Sequence, residues 1–373
     1  MLERFHVPHD EEIRIQYSEL ERLSSSILIK SGLTEHHADI ATDVLLKADI
    51  RGVDTHGVSN MLRNYVQYFN EGSANPKPNW KVTRETESCA TVDSDQGLGV
   101  VVVPLCMEIA IEKAKKTGVG IVSIGNGRHL GMAAYHAMMA LDHDMIGTCM
   151  TSSTTNVVPT HAAKPGIGTN PIAVAAPALN KAPFVFDAAT SAIATNKVRV
   201  AQRIGVPLAP GWITDEKGNP IMVDTPLKKS DDPNDVAGLM QTPVGATREL
   251  GSHKGFSLGM VVDILGSVLN GSLAGPLRTF RQHQNHFVAA YSIEAFTDLN
   301  KFKEMMDEYL QILEDLPPVK GQKRVLYAGL MEDETTKERM EKGIPLHPEV
   351  TNWFKDICSE LSIEINDSLG GIG

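Results

Sequence analysis

Little in this 373-residue chain is basic, paired or continuously apolar, and each shortage removes a class of function. Lysine and arginine number 35 against 46 aspartate and glutamate, a formal net charge of -11. A nucleic-acid partner usually calls for a basic patch, so none is expected. The four cysteines, Cys89, Cys106, Cys149 and Cys358, stand far apart with no C-x-x-C pair. They make neither a disulfide framework nor a zinc pattern, and they suit a reducing compartment. No stretch approaches the roughly 20 uninterrupted apolar residues that a membrane span needs. Residues 1–14 are polar and acidic, without the apolar run of a signal peptide. Internal repeats and low-complexity tracts are missing too. These absences predict a cytoplasmic protein. A hydrophobic share of 42% with 22% charged residues is ordinary for a folded chain, and the length suggests two domains.

What is present centres on residues 48–65. A helical pattern over 34–47 precedes this stretch and another over 61–69 follows. Between them Arg51, Asp54, Thr55, His56 and Asn60 crowd into one turn region. Histidine is the side chain whose ordinary pKa lets it exchange a proton near neutral pH. A hydroxyl beside it can fix its position or tautomer, and Gly57 permits close backbone approach. The same residues could equally form a helix connection with a surface histidine, because a lone histidine is not a site.

Along the chain, Ser18 and Glu21 read as a capping box for a helix that Gly32 closes, and Thr34 caps the next, which Gly52 ends. Residues 82–92 read as short strands and 103–116 as an amphipathic helix. Residues 119–124, 132–141 and 146–150 read as one βαβ unit around the loop Gly125 to Gly131. Its G-x-G-x-x-x-G spacing, and Thr151-Ser152-Ser153 where an acidic ribose ligand would stand, depart from the Rossmann pattern. The polar segment 151–156, with His161, Lys164 and Gly166 to Pro171, suits phosphate, amide or carboxylate recognition, or else is a surface loop. Strands over 172–177 and 184–186 lead to Asp187, Thr190 and Ser191, where α/β sheets place ligands. A basic helix over 195–205, a hairpin over 211–223 and a polar excursion over 225–245 follow. Lys254 opens a helix over 258–269 and could meet a phosphate or merely cap it. Gly266 and Gly271 suggest close packing there. His283 and His286 have the spacing of two metal ligands on a helix, but no third ligand completes a set, so no metal is expected. A strand over 287–292, a helix over 293–313, a short strand over 324–327 and helices over 334–341 and 348–361 complete the chain.

With these residues laid out, the chain resembles the malate/L-lactate dehydrogenase family that is distinct from the Rossmann-type enzymes of the same names. The motifs are Arg51-Gly52-Val53-Asp54-Thr55-His56-Gly57-Val58, Gly127-Arg128-His129-Leu130-Gly131, Gly168-Thr169-Asn170-Pro171, Asp187-Ala188-Ala189-Thr190-Ser191, His253-Lys254-Gly255-Phe256 and Gly343-Ile344-Pro345-Leu346. The resemblance implies a sulfolactate-dehydrogenase-like α/β fold. Residues 81–299 would form a non-Rossmann cofactor domain, and residues 1–80 and 300–373 a helical substrate and dimer domain built from both termini. It implies a homodimer that uses NAD or NADP, with NAD favoured. His56 would give the proton to a 2-oxo acid, assisted by Thr55. The substrate would be oxaloacetate or pyruvate on the oxo side, malate or lactate on the hydroxy side, or another oxo or cyclic imino acid. His129, Leu130, Gly131, Met132, Ala133, Ser153, Asp187, Ala188, Ala189, Lys254, Gly255 and Gly329 would hold the cofactor, and Thr169 would touch substrate.

The chain departs from the family pattern in three places. Thr55 stands where serine is common. Asn60 stands where an arginine commonly binds the substrate carboxylate, which moves that expectation to Arg63, with Arg51 next. Ala328-Gly329-Leu330 stands where Pro-Gly-Glu is common. Two readings from other classes compete: a nucleotide-binding module without turnover, and a histidine-rich metal hydrolase.

Overall fold

The computed structural model describes residues 3–227, 238–278 and 283–365. Strand β1 (Ile13–Ile15) leads into helices α1 (Tyr17–Lys30), α2 (Glu35–Ile50) and α3 (Val58–Asn70). Strands β2 (Lys81–Glu85) and β3 (Cys89–Asp93) precede α4 (Gly99–Thr117), β4 (Val119–Gly127), α5 (Ala133–Met138) and β5 (Met145–Ser152). Then come β6 (Thr155–Val157), β7 (Ile167–Gly168), β8 (Ile172–Ala176), β9 (Phe184–Ala188), α6 (Thr195–Ile204) and α7 (Ser252–Gly266). The last elements are β10 (Gln284–Ser292), α8 (Leu299–Glu314), α9 (Leu330–Lys342), β11 (Ile344–Leu346) and α10 (Pro348–Glu360).

Seven strands make one mixed sheet in the order β2-β3-β4-β10-β5-β8-β9. The β3–β4 pair is parallel and every other neighbouring pair is antiparallel. This corrects the expected βαβ unit. Strands β4 and β5 do not pair; β10 lies between them, with Phe287 opposite Ser123 on one side and Met150 on the other. Its core residues Val288, Ala289 and Ala290 are fully buried, as a central strand requires. Two glycines let the helices sit directly on the sheet. A Cβ at Gly120 would stand 1.8 Å from the Ala110 carbonyl oxygen of α4, and one at Gly147 would stand 2.0 Å from that of Ala137 in α5.

A second core gathers α1, α2, α3 and α10 around Leu20, Leu23, Ile27, Leu45 and Phe354. The antiparallel pair β1–β11 ties the two ends of the chain together there, with Ile13 opposite Leu346. Each such aliphatic side chain, taken fully from water, contributes about 1.5–3 kcal/mol before the entropy of ordering is counted. A smaller cluster joins Phe5 to Val198, Ala201 and Ile213 around α6.

Several local expectations change. Thr34 does cap α2, its Oγ1 accepting the His37 N–H at 3.2 Å. The capping box at Ser18 is not formed: β1 runs straight into α1, and extended Gln16 takes the N-cap position without a side-chain bond. No strand forms over 324–327; instead the Ala328 carbonyl accepts the Val185 N–H at 2.9 Å. Helix α8 is capped by Asp298 and docks on the β8–β9 turn, where Asp307 accepts the N–H groups of Leu179 and Asn180. A Cβ at Gly266 would stand 3.4 Å from Ser152 of its own chain, whereas one at Gly271 would meet nothing within 4 Å. His286 belongs to a strand, not a helix, and Gln282 and residues 228–237 lie outside the described residues.

Candidate active site

Residues 51–57 turn the chain from α2 into α3, and buried charge holds the turn. The Arg339 guanidinium, on α9, donates to the Asp49 carbonyl and to the Asp54 carboxylate. Asp49 is fully buried and its Oδ2 accepts the Val58 N–H at 2.7 Å. Burial, and then the charge of Asp54, raise the Asp49 carboxyl well above the ordinary value. A Cβ at Gly57 would fall 1.9 Å from Asp49 Oδ1, so only glycine fits. This frame presents Thr55 and His56, with Thr55 Oγ1 2.9 Å from His56 Nδ1.

A second histidine faces the first from the loop after β4. The Arg128 side chain, fully buried, donates to the carbonyls of Ser73 and Gly127 and to Gln96 Oε1. Two buried histidines anchor the same loop: His286 Nε2 lies 3.0 Å from the Arg128 carbonyl, and His136 Nε2 lies 2.9 Å from that of Leu130. Carbonyl oxygens only accept, so both rings carry their proton on Nε2. His129 Nδ1 accepts the Gly131 N–H at 3.1 Å and lies 2.9 Å from the Tyr65 hydroxyl. That pattern assigns the neutral His129 proton to Nε2. The rings of His56 and His129 stack, with centroids 5.7 Å apart and planes at 12°.

Both rings line a cavity of about 310 Å³, together with Ser153, Thr169, Asn196 and Arg199. Burial, and secondarily the charge of Lys197, push His56 down to about 4. Burial and then His56 and His286 hold His129 well below the ordinary histidine range. At pH 7 both are neutral, and charging either opposes charging the other.

The structure brings together six of the expected residues on this cavity: His56, His129, Leu130, Gly131, Ser153 and Thr169. Ser153 Oγ lies 3.0 Å from Thr169 Oγ1, and the Asn170 side chain, which accepts the Ser153 N–H, locks the two segments together. Thr55 does not line the cavity and stands behind His56, against its Nδ1. Met132 and Ala133 lie just beyond the loop, next to Asp187, whose Oδ2 accepts the Ala134 N–H at 2.7 Å. Ala188 and Ala189 continue from there. Lys254 is exposed near the start of α7, with Gly255 packed against Val244, and Gly329 caps α9 against β9; none of the three lines the cavity.

The arginine expectations are not met by the geometry. Arg63 is held by Glu349 at 2.6 Å and covers the Trp353 ring. Arg51 is buried within the field of Glu332, Asp333 and Asp187. Asn60 spends its amide at both ends, donating to the Asp54 carbonyl at 2.8 Å and accepting from Arg203 at 3.1 Å. Arg199 and Asn196, with Gln284, Gln67, Tyr68 and Glu71, are among the wall residues that sequence reasoning passed over. The signal for the first two was available: they fall three apart on the basic helix, on one face. His286, read as half of a metal-spaced pair, has both ring nitrogens engaged, Nδ1 lying 3.1 Å from Thr151 Oγ1.

A neutral, poorly solvated imidazole on the wall of a polar cleft equips an enzyme to exchange a proton with a bound hydroxyl or carbonyl group. The comparisons agree with that class. The family described as malate/L-lactate dehydrogenase matches residues 15–355, and the chain belongs to it. A malate dehydrogenase of Pyrococcus abyssi is 36% identical over 94% of this chain and 96% of its own. An L-sulfolactate dehydrogenase of Methanocaldococcus jannaschii is 31% identical over 93% of this chain and 96% of its own. The solved malate dehydrogenase of Pyrococcus horikoshii OT3 superposes with a TM-score of 0.85 at 32% identity, covering 97% of this chain and 99% of that one. The protein is thus a hydroxy acid dehydrogenase, an oxidoreductase of the kind that works with a nicotinamide cofactor.

Proposed function

We propose that the chain interconverts a small 2-hydroxy acid and its 2-oxo acid, malate with oxaloacetate or lactate with pyruvate, using NAD or NADP. The observation that carries this reading is the Thr55–His56–His129 arrangement on the wall of the polar cavity. In the reducing direction protonated His56 gives its proton to the carbonyl oxygen, and in the oxidising direction the neutral ring takes the hydroxyl proton. Thr55 engages Nδ1, which leaves Nε2 for the substrate. His129 Nε2–H is a further donor beside it.

The residues present suit a nicotinamide guest. The cavity wall carries hydroxyls at Ser153, Thr154 and Thr169, and Asn156 Oδ1 is buried there without a partner, an acceptor ready for an amide N–H. A bound nicotinamide supplies or accepts the hydride. His129 to Ala133, Ser153 and Asp187 to Ala189 would hold it; the Asp187–Ala134 bond ties these segments into one cradle. Lys254, Gly255 and Gly329 would act outside the cavity, on the far end of the dinucleotide. In this reading residues 81–299 carry the cofactor and 1–80 with 300–373 the substrate and dimer parts, and the protein works as a cytoplasmic homodimer. No helix among the described residues is long and apolar enough to cross a membrane.

The test is a panel of 2-oxo acids with NADH and NADPH, followed by nicotinamide absorbance. Oxidation of either nucleotide by oxaloacetate or pyruvate is expected. Cofactor binding without turnover on any oxo or imino acid would instead define a nucleotide-binding module, and activity abolished by a chelator would point to metal chemistry.

A further inference from the structure

We propose that Tyr65 is a positioning residue of the reaction, its buried hydroxyl donating to His129 Nδ1 and so holding the ring with Nε2–H free for the substrate. This deepens the 2-oxo acid reading above, on which its kinetic consequences rest. Which nitrogen of a neutral imidazole carries the proton decides whether the cleft meets a donor or an acceptor. A carbonyl oxygen gains negative charge as it is reduced. A fixed donor beside it favours that change, and a bare nitrogen opposes it.

The direction of the bond follows from a second contact at the same atom. His129 Nδ1 accepts the Gly131 N–H at 3.1 Å, so it carries no proton, and the Tyr65 hydroxyl, 2.9 Å away, has to be a donor. Burial, and then Tyr68, hold the Tyr65 phenol well above its ordinary range, so it keeps that proton at neutral pH. The phenol ring is itself fixed. It is fully buried in the helical core with Leu45 and Leu62, and it tilts at 48° against the His129 ring with centroids 6.0 Å apart. Its hydroxyl has no other hydrogen-bond partner among the described residues. Helix α3 therefore sets both histidines. Gly57 is its N-cap, so His56 stands just before its first turn, while Tyr65 lies about two turns further along and reaches the loop after β4. His56 has a comparable contact, Thr55 Oγ1 lying 2.9 Å from its Nδ1. Each of the two stacked rings thus meets a hydroxyl at Nδ1, and each has Nε2 without a partner among the described residues, on the wall of one cavity.

Two measurements on the full chain test this. Nitrogen NMR of isotope-labelled wild type at pH 7, with the signals assigned through a His129→Gln variant, should show His129 Nδ1 as a proton-free, hydrogen-bonded nitrogen and Nε2 as the protonated one. Tyr65→Phe removes only the hydroxyl and should move the Nδ1 signal toward that of a free ring nitrogen. In kinetics with the 2-oxo acid and reduced nicotinamide that the wild type uses best, Tyr65→Phe should lower kcat about threefold to tenfold, the scale of one net hydrogen bond. KM for the acid and cofactor Kd should stay near wild type. In the His129→Gln background the same substitution should change the residual kcat by less than about twofold, since a group that acts through His129 then has nothing to act on. A proton on Nδ1 in the wild type overturns the proposal whatever the variants or the substrate do, and so does an Nδ1 signal indifferent to Tyr65→Phe. An unchanged kcat in Tyr65→Phe overturns it too, as does an equal loss in both backgrounds, because the hydroxyl would then act on the core and not on His129. A wild type that reduces no 2-oxo acid sinks the reading of the reaction and the kinetic part of the proposal with it, while the spectrum still decides the bond itself.

Discussion

His56 is accessible from the cleft yet surrounded by protein, so a charge on its ring is poorly solvated; burial first and Lys197 second bring it to about 4. The sign of the pH dependence follows. Above that value the free ring is neutral, and its protonated fraction falls about tenfold for each pH unit. In the proposed role of His56, oxo acid reduction uses the protonated ring, so its kcat/KM should fall about tenfold per unit from pH 5 to pH 8. In that role hydroxy acid oxidation uses the neutral ring, so its kcat/KM should be flat over the same range as far as His56 is concerned. Steady-state rates in both directions check this, and a reduction rate independent of pH would remove His56 as the donor. The Thr55–His56 pair was legible in the sequence because it is local, two neighbours within one turn. The role of Arg63 was not legible, because what occupies it is Glu349, nearly the whole chain away. The amide of Asn60 is likewise taken by Arg203 from another helix.

At the scale of elements, the turn that carries His56 depends on α9. Arg339 is 4% exposed and its guanidinium is shared between the end of α2 and Asp54. Arg339→Met would leave the Asp54 carboxylate buried without its partner, and breaking such a pair typically costs about 3–5 kcal/mol. Urea denaturation should show a midpoint lowered accordingly, with turnover reduced through misplacement of His56; an unchanged midpoint would show that the turn is held by other contacts. The charged helix itself was readable from its pattern, but nothing local announced that one of its arginines would be buried. The sheet shows the same division. Strands β4, β5, β8, β9 and β10 were recognisable as apolar runs, whereas the short β6 and β7 were read as a loop, and the segment from β4 through α5 to β5 looked like an adjacent pair. The strand that separates them, β10, arrives after α7, and pairing across that separation leaves no local mark in the sequence.

For the whole molecule, α7 presents a row of exposed apolar side chains, Leu258, Val261 and Ile264, which Val268 continues in the turn that follows, while its other face packs on the sheet. Unpartnered apolar rows of this kind mark interaction surfaces, and the proposed homodimer would cover this one. Leu258→Asp combined with Ile264→Asp should then halve the mass seen by sedimentation equilibrium; an unaltered mass would place the interface elsewhere, and a monomeric wild type would exclude it. The buried face of α7 also touches the site, since the Gly259 carbonyl accepts from the Asn170 side chain and Asp263 accepts from Ser152. In the proposed homodimer the interface and the polar wall of the cavity would thus share one helix. Proton transfer by His56 is tested most directly by His56→Asn, which keeps a polar side chain of similar reach but cannot exchange a proton at neutral pH. With the acid and nucleotide that the wild type uses best, kcat should fall about a hundredfold or more while cofactor Kd and the unfolding midpoint stay near wild type. Wild-type turnover in that variant would contradict it.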